Sequence, residues 1–383
     1  MSNSAFEPGL AGVIVAETAL SHVDGALGRL FIAGRNVEEL SGRVPFEAVC
    51  ASLWDPVDPP SESDVRRALG AARVAAFHEL PSLGGALDAG DAMDALRAAV
   101  AHLEAKEGRG APRWLAAVAL TGAVSVFATA WARRHDGASP IVPDANLGHA
   151  EDTLRMLRGT RPSDAEAAAL DAYFVAVVDH GLNASTFAAR VVASTGSDMV
   201  SAVTAAIGAL KGPLHGGAPG PVLDMLDAVG EAARAREWLG TEIDARRRIM
   251  GMGHRVYRVR DPRAAVLERA IERLRASLEA SGRGGPILAR LELARAVERE
   301  ATALLSARHP GRALRANVEF YTAVLLEALG VLRELFSAIF ASARVAGWAA
   351  HVDEERRKGR LIRPSSRYVG PVPPSAQGAA APD

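Results

Sequence analysis

The stretch Lys211-Gly-Pro-Leu-His215-Gly-Gly-Ala-Pro219 separates two predicted helices. Ahead of it, apolar residues recur at three- and four-residue steps from Val200 to Leu210, the spacing of one helix face. The lysine, glycine and proline end that helix, and Pro221 fits the first position of the next one. His215 is therefore predicted to lie in a loop whose glycines let a ligand approach the backbone closely. Two interpretations stay open at this point, a ligand-binding loop and a tight turn with an incidental histidine.

Composition and charge exclude several classes of protein. The chain has 383 residues, 49% of them hydrophobic, so it can bury a large core divided into two or three structural units. A formal net charge of -1 gives no overall attraction for nucleic acid or an acidic membrane surface. The single cysteine, Cys50, rules out an internal disulfide and a multi-cysteine metal site, and it is predicted to be a buried small hydrophobe. The N-terminus lacks the basic-then-apolar order of a secretory signal, so a cytoplasmic protein is predicted.

One segment has about the length of a membrane span. Trp114 to Trp131 contains no charged residue and is flanked by arginines on both sides. It is mostly Ala, Gly, Ser, Thr and Val, without the density of Leu, Ile and Phe that drives insertion, and its flanking charges give no orientation signal. The segment is therefore predicted to be a buried helix inside a soluble, all-helical protein.

The pattern along the rest of the chain predicts an all-α fold with a minor N-terminal β-hairpin. The strand signals are Gly12 to Ala16 and Leu30 to Ile32, with Asp24-Gly25 as a turn candidate between them. From Val37 onward the pattern is helical and rich in alanine. Strands and helices do not alternate, which argues against doubly wound sheets and αβ barrels, and no fixed-period repeat indicates a solenoid.

A basic segment runs from Met250 to Arg263. It places four arginines and a histidine beside a single acid, Asp261, which together with Pro262 makes a good start for the next helix. Arg263 then lies in the first turn, where the helix dipole disfavours a cation. The excess of arginines favours a bound carboxylate or phosphate over the alternative, a solvated basic loop.

Three other places carry polar residues among apolar ones. The run from Asp179 to Thr186 lies between two apolar helices, and for His180 alone a capping or hydrogen-bonding role is favoured over a ligand contact. Glu319, two residues after a predicted N-cap at Asn317, fits ordinary first-turn helix chemistry. Arg344 lies in an apolar run and needs a partner, because a buried unpaired charge is very costly.

Six motifs follow one another along the chain: Asp179–Thr186, Gly212–Ala218, Gly251–Arg263, Asn317–Tyr321, Ala343–Trp348 and Arg363-Pro364. Together they strongly resemble the citrate synthase family, over about residues 9 to 370. The resemblance implies an all-helical, two-domain subunit in an obligate homodimer whose active sites are shared between the subunits. It also implies a small domain at residues 217–326, with residues 1–216 and 327–383 forming the large domain and a disordered tail.

The resemblance implies the condensation of acetyl-CoA with oxaloacetate and water to give citrate and CoA. Glu319 matches the base that removes the methyl proton, His215 the donor to the thioester oxygen, and His254 the donor that polarises the ketone of oxaloacetate. The residues that match the ligands of the oxaloacetate carboxylates are His180, Arg263, Arg344 and the partner subunit's Arg363. The candidates for the CoA phosphates are Arg255, Arg258, Arg260 and Arg315. No metal and no permanently bound cofactor are implied.

Two positions depart from the family pattern. Glu319 stands where relatives usually have aspartate, which is one methylene shorter, and Leu30 to Arg35 lacks the usual tyrosine and arginine before its glycine. A displacement of about 1 Å at a reacting centre can cost about a hundredfold in rate. Two alternatives therefore accompany the citrate synthase hypothesis. One is a 2-methylcitrate synthase that uses propionyl-CoA, because one methylene in a hydrophobic pocket discriminates by only about 1–3 kcal/mol. The other is a catalytically weak paralogue that binds CoA or a dicarboxylate.

Overall fold

Helices make up 64% of the computed structural model, which describes residues 7–10, 12–55, 57–104, 112–216, 219–253, 256–282, 284–311 and 314–371. The all-α prediction is confirmed. Fifteen α-helices lie in these residues. In chain order they are α1 (Val37–Leu40), α2 (Phe46–Trp54), α3 (Glu62–His78), α4 (Ala92–Ala101), α5 (Trp114–His135), α6 (His149–Arg158), α7 (Asp164–Val177), α8 (Ala184–Ser194), α9 (Met199–Leu210), α10 (Pro219–Val229), α11 (Ala235–Asp244), α12 (Pro262–Ala280), α13 (Gly285–Arg308), α14 (Val318–Ala328) and α15 (Phe336–Lys358).

A small antiparallel sheet precedes the helices. Its strands are β1 (Ser21–Asp24), β2 (Arg29–Ile32) and β3 (Arg35–Asn36), hydrogen-bonded in that order. The Asp24 side chain stabilises the turn between β1 and β2, because its Oδ1 accepts hydrogen bonds from the backbone N–H groups of Ala26 at 3.1 Å and Leu27 at 2.9 Å. The predicted turn and the predicted strand at Leu30–Ile32 are confirmed.

The predicted strand at Gly12–Ala16 is wrong. These residues belong to no strand, and Ile14 is 89% exposed. The turn sets the register of the hairpin, with Asp24 opposite Arg29, so the residues that pair with β2 are those directly before the turn. The apolar run at Gly12–Ala16 lies before Ser21, where the pairing with β2 ends.

Two long apolar helices lie at the centre of the protein. α5 packs against α3 and α15, and its buried side chains include Phe127 and Trp131. Both α5 and residues Arg333–Lys358 are long and apolar enough to cross a membrane, but 83% and 89% of their apolar windows are buried inside the protein. Core helices pass the same length test, so the prediction of a buried helix at Trp114–Trp131 is confirmed. Cys50 on α2 is fully buried, as predicted.

The helix starts around the predicted site are capped by side chains. Asp261 caps α12 and Asn317 caps α14, as the sequence predicts, by accepting hydrogen bonds from the N–H groups of Arg263 (2.9 Å) and Glu319 (3.0 Å). Asn183 caps α8 in the same way. These caps fix the directions in which the chain leaves each site loop.

The N-terminal sheet lies against the basic segment. The N–H of Arg258 donates to the carbonyl of Gly25 at 2.8 Å. A Cβ on Gly25 would lie 2.3 Å from the carbonyl oxygen of Val256, so this close approach requires glycine. α12 extends the contact by packing against α1 and α7. The segment before α12 is therefore held between the sheet and the helical body.

The division into a large and a small domain stays a prediction. Its first boundary falls at residues 217–218, which lie outside the described residues, as do residues 372–383 of the predicted disordered tail.

Candidate active site

His215 lies in the short loop between α9 and α10. The loop turns back on α9, since the N–H of Gly216 donates to the carbonyl of Leu210 at 3.0 Å. A Cβ on Gly216 would lie 2.4 Å from that carbonyl oxygen, so only glycine fits there. Ser185, at the start of α8, holds the imidazole: its Oγ lies 2.8 Å and its backbone nitrogen 3.3 Å from Nε2. The indole N–H of Trp348 donates to the same Oγ at 3.1 Å.

The imidazole of His215 is uncharged at neutral pH. Burial lowers its pKa to about 4, and the nearby Arg344 guanidinium acts in the same direction. The backbone N–H of Ser185 can only donate, so Nε2 accepts and the ring proton is assigned to Nδ1. His215 therefore offers a neutral N–H donor on the side of the ring away from Ser185.

His180 lies in the loop between α7 and α8 and contacts Tyr257 of the basic segment. Its Nε2 is 3.0 Å from the tyrosine Oη, and the two rings meet edge to face with centroids 5.6 Å apart. Tyr257 is almost completely buried, and burial raises the pKa of its phenol well above the usual range. The guanidinium carbon of Arg263 lies 5.9 Å from the centre of the same ring. Tyr257 thus connects two of the predicted carboxylate ligands, His180 and Arg263.

Arg263, in the first turn of α12, is buried and paired with its own N-cap. Its Nε and Nη2 donate to the two carboxylate oxygens of Asp261 at 3.0 and 2.8 Å, and the N–H of Val318 donates to the same carboxylate at 3.2 Å. Burial lowers the pKa of Arg263, but the Asp261 carboxylate outweighs it and the net shift is upward. One anion beside Arg263 is therefore supplied by the protein itself, and Asp261 joins the starts of α12 and α14.

Arg344 lies within α15 and is 1% exposed. Its Nε donates to the carbonyl of Val177 at 2.5 Å, and its guanidinium carbon lies 4.6 Å from the centre of the Phe340 ring. Its Nη2 is buried and has no hydrogen-bond partner among the described residues. Burial lowers the pKa of Arg344 to about 10, and the Asp179 carboxylate opposes that shift. The guanidinium stays charged at neutral pH with a buried donor unused, which suits an anionic ligand.

Glu319, the second residue of α14, is partly buried. Within the described chain, its carboxylate makes no hydrogen bond. Burial raises its pKa to about 7; Arg263 and Arg344 oppose that shift, and Asp261 adds to it. A carboxyl group that titrates near neutrality is suited to accept a proton from a substrate.

Arg344 links these groups electrostatically. Its charge lowers the pKa of His215 and of Glu319, and it is itself influenced by the charge of Arg263. The fold therefore brings a neutral donor, a carboxyl group of raised pKa and two buried arginines within range of one another's charges.

His254 and Arg255 lie outside the described residues. The residue just before them, Gly253, is hydrogen-bonded to the segment that leads into α14. Its N–H donates to the carbonyl of Arg315 at 2.7 Å, and its carbonyl accepts from the side-chain amide of Asn317 at 2.8 Å. The segment that leads to His254 is therefore fixed beside Glu319.

The other predicted ligands lie nearer the surface. Arg258 and Arg315 are exposed, and Arg363 is exposed in the extended segment after α15. Arg260 is partly buried and pairs with Glu268 at 3.0 Å and Glu298 at 3.3 Å. Within the described part of the chain, no cluster of His, Cys, Asp and Glu could hold a metal ion.

Sequence reasoning assigned no role to two residues that contact the site histidines, Ser185 and Tyr257, or to Trp348, which donates to the hydroxyl of Ser185. Ser185 contacts His215, and Tyr257 contacts His180. Each lies inside one of the six motifs, which is the signal that could have found it. The contacts join residues far apart in the chain, so spacing alone does not reveal which histidine each one holds.

Comparison with known proteins identifies the family. The family model named "Citrate synthase, C-terminal domain" matches residues 9–365. The chain belongs to the citrate synthase family. It is accordingly an acyltransferase of the citrate synthase type.

Similar proteins cover nearly the whole chain. A citrate synthase of Haloferax volcanii is 35% identical and a 2-methylcitrate synthase of Mycobacterium tuberculosis is 36% identical; both alignments cover 94% of this chain and 95% and 90% of the relatives. The crystal structure of citrate synthase from Thermotoga maritima has a TM-score of 0.79 at 32% identity, over 98% of this chain and 100% of that one. A ternary complex of carboxymethyl coenzyme A and oxaloacetate with citrate synthase from Thermoplasma acidophilum has a TM-score of 0.78 at 26% identity, over 96% and 98%.

Proposed function

We propose that this chain condenses acetyl-CoA with oxaloacetate and water to give citrate and CoA, with Glu319 as the base. The observation that carries the proposal is a partly buried carboxyl group with a pKa of about 7, within range of the charges of Arg263 and Arg344. The methyl proton of a thioester is very weakly acidic, so the base must be unprotonated at neutral pH and as strong as that condition allows. With a pKa of about 7, Glu319 is about half ionised at neutral pH, and its ionised form is a stronger base than an ordinary carboxylate.

His215 is proposed to stabilise the enol oxygen. Removal of the methyl proton moves negative charge onto the thioester oxygen, which needs a hydrogen bond as the charge develops. The Nδ1–H of the neutral imidazole can supply it, since Ser185 occupies Nε2 and Trp348 fixes the serine hydroxyl. His254 is proposed, from its match to the family motif, to polarise the ketone carbonyl of oxaloacetate.

The carboxylates of oxaloacetate are proposed to bind Arg344, Arg263 and His180. A bound carboxylate would give the buried Nη2 of Arg344 the acceptor that it lacks among the described residues. Tyr257 contacts both Arg263 and His180, which supports a common role for these two residues.

A homodimer is part of the proposal, with the partner subunit's Arg363 completing the oxaloacetate site. The support is the surface segment after α15: Arg363 is exposed, and so are the apolar side chains of Leu361 (59%), Tyr368 (70%) and Val369 (89%). Exposed apolar residues on an extended segment are typical of a surface that another subunit covers.

We also propose a cytoplasmic location, which agrees with the burial of both long apolar helices.

For the CoA phosphates, Arg258 and Arg315 are the better candidates. Both are exposed and lie on the segments that flank His254 and Glu319. Arg260 is less suited, because Glu268 and Glu298 already balance its charge. Arg255 remains a candidate outside the described residues. The binding of a CoA analogue and oxaloacetate by the Thermoplasma acidophilum relative supports the same substrate pair here.

The second candidate function is 2-methylcitrate synthesis from propionyl-CoA. It is supported by the 36% identity to a relative of that name. The two substrates differ by one methylene, which a hydrophobic pocket distinguishes by only about 1–3 kcal/mol.

The test is the release of CoA thiol by the purified protein given oxaloacetate with either acetyl-CoA or propionyl-CoA. The higher kcat/KM identifies the acyl substrate, and acetyl-CoA is expected. Glu319→Asp should lower kcat by roughly a hundredfold, because it withdraws the carboxylate by about 1 Å. Glu327→Asp, near the other end of α14 and paired with Arg290, is the matched control and should leave kcat unchanged. No release with either acyl-CoA, together with activity gained in Glu319→Asp, would instead identify a weak paralogue.

A further inference from the structure

Asp179 is a fully buried carboxylate beside the proposed oxaloacetate site, and the mechanism above assigns it no role. Its Oδ2 accepts hydrogen bonds from the hydroxyl of Ser21 at 2.5 Å and from Nε2 of His351 at 3.1 Å. Its Oδ1 is buried and has no hydrogen-bond partner among the described residues. A buried carboxylate oxygen without a donor is costly unless a positive charge compensates for it.

His351 connects Asp179 to Arg190, a buried arginine of α8. Nδ1 of His351 lies 2.9 Å from Nη1 of Arg190, which can only donate, so Nδ1 accepts and the ring proton lies on Nε2, towards Asp179. Arg190 also pairs with Glu354 at 2.7 Å and with Glu355 at 2.8 Å. Every member of this chain of contacts is buried, so the network holds the Asp179 carboxylate in one position.

Arg344 lies beside the backbone that carries Asp179, because its Nε donates to the carbonyl of Val177 at 2.5 Å. Burial raises the pKa of Asp179, and His351, followed by Arg344, lowers it below its usual value. The Asp179 carboxylate is the charge that most strongly raises the pKa of Arg344, against the effect of burial and of Arg263. α15 approaches closely here, since a Cβ on Gly347 would lie 3.2 Å from the Cβ of Asp179. Nη2 of Arg344 and Oδ1 of Asp179 are therefore two buried atoms of opposite charge, each without a hydrogen-bond partner in the described chain.

Four other titratable groups influence the pKa of Arg344 or are influenced by its charge. They are Tyr173 on α7, His215 before α10, Arg263 on α12 and Glu319 on α14. Asp179 and Glu319 are the two carboxylates that raise the pKa of Arg344. Glu319 has the role of base, so Asp179 is the permanent anion beside Arg344.

We propose that Asp179 is a positioning residue for oxaloacetate binding, which orients the Arg344 guanidinium by its buried negative charge and is itself held by His351 and Arg190. The inference rests on the proposed function, because it takes Arg344 as a ligand of an oxaloacetate carboxylate. Without substrate, Arg344 and Arg263 are buried cations that repel each other. Asp261 balances Arg263, and Asp179 balances Arg344.

The test compares Asp179→Asn with a matched control, Asp152→Asn. Asp152 is also fully buried and accepts from Nε of the buried Arg73 at 2.7 Å, in a cluster with His149. Asp179→Asn leaves the buried Arg344 without its neighbouring carboxylate, and Asp152→Asn does the same to the buried Arg73. Both substitutions should therefore lower the midpoint temperature of thermal unfolding. Asp179→Asn alone should raise the KM for oxaloacetate, by roughly 10- to 100-fold, with a smaller change in kcat.

The split between KM and kcat distinguishes positioning from general destabilisation. Asp179→Asn removes the negative charge beside Arg344 and leaves Glu319 in place, so the affinity for oxaloacetate should fall while turnover at saturating oxaloacetate changes less. Asp152→Asn lowers stability only, so its oxaloacetate KM should match that of the wild type.

An unchanged oxaloacetate KM in folded Asp179→Asn would overturn the inference. If that variant does not fold, His351→Leu is compared with His149→Leu: it removes the hydrogen bond from His351 to Asp179 and keeps the charges of Asp179 and Arg344. A KM raised only in His351→Leu supports positioning, and equal KM values refute it. Calorimetry of oxaloacetate binding in the absence of acyl-CoA tests the role of Asp179 in binding independently of whether the protein catalyses the condensation. An inactive wild type that binds oxaloacetate, and loses affinity in Asp179→Asn, contradicts the proposed function and supports the inference.

Discussion

Replacing Glu319 with glutamine is expected to abolish turnover and to stabilise the protein at the same time. Glutamine keeps the length of the side chain and removes its ability to accept the methyl proton. General-base catalysis contributes roughly 10²–10⁴-fold, so kcat should fall by that factor, which is about 3–5 kcal/mol in the activation free energy. The KM for oxaloacetate should change little, because Arg263 and Arg344 remain in place.

The gain in stability follows from the raised pKa of Glu319. Folding raises this pKa from 4.5 to about 7, so the folded protein binds the proton more tightly than the unfolded chain does. The free energy of unfolding therefore falls as the pH rises through the window from 4.5 to about 7. At about 1.36 kcal/mol per pKa unit, the ionised carboxylate destabilises the fold by at most about 3 kcal/mol. Above neutral pH, Glu319→Gln removes this destabilisation by the ionised carboxylate. At acid pH, where the carboxyl group is protonated, it leaves the free energy of unfolding nearly unchanged.

The assay is thermal unfolding at about pH 8 and about pH 5, beside CoA release at the higher pH. An unfolding entropy of about 2.1 cal/mol/K per residue makes the stabilisation worth a rise of about 4 °C in the thermal midpoint at the higher pH. Glu327→Gln is the control on the same helix; because it breaks the pair with Arg290, it should not stabilise at either pH. A kcat within about threefold of the wild type, or a lower thermal midpoint at both pH values, would refute Glu319 as a base of raised pKa.

Two further predictions concern the subunit contact and the packing of α15. Arg363→Ala should raise the oxaloacetate KM by roughly 10- to 100-fold with the dimer intact in sedimentation; unchanged affinity would exclude the role of the partner subunit's Arg363. Gly347→Ala should destabilise by about 1–3 kcal/mol or more in denaturant unfolding, because its Cβ would lie 2.2 Å from the carbonyl oxygen of Val178. Gly240→Ala on α11, where a Cβ meets nothing within 4 Å, should stabilise by about 1 kcal/mol, and equal effects at the two glycines would contradict the packing argument.

The features that sequence reasoning predicted correctly depend on neighbours a few residues apart. The caps at Asp261 and Asn317 join a side chain to a backbone N–H two residues later. The turn at Asp24 is equally local. The strand at Gly12–Ala16 was predicted wrongly because pairing is not local: an apolar run becomes a strand only where another strand offers it an edge.

The sequence by itself determined the helical architecture, the loop that carries His215 and the family to which the chain belongs. Periodicity, caps and motif order are properties of short stretches and survive without the fold. Only the tertiary structure decided the electrostatics of the site: the carboxylate that compensates for Arg344, the pairing of Arg263 with its own cap, and the raised pKa of Glu319. A pKa depends on burial and on charges nearby in space. Asp179 and Arg344, whose charges influence each other, are more than a hundred residues apart in the chain.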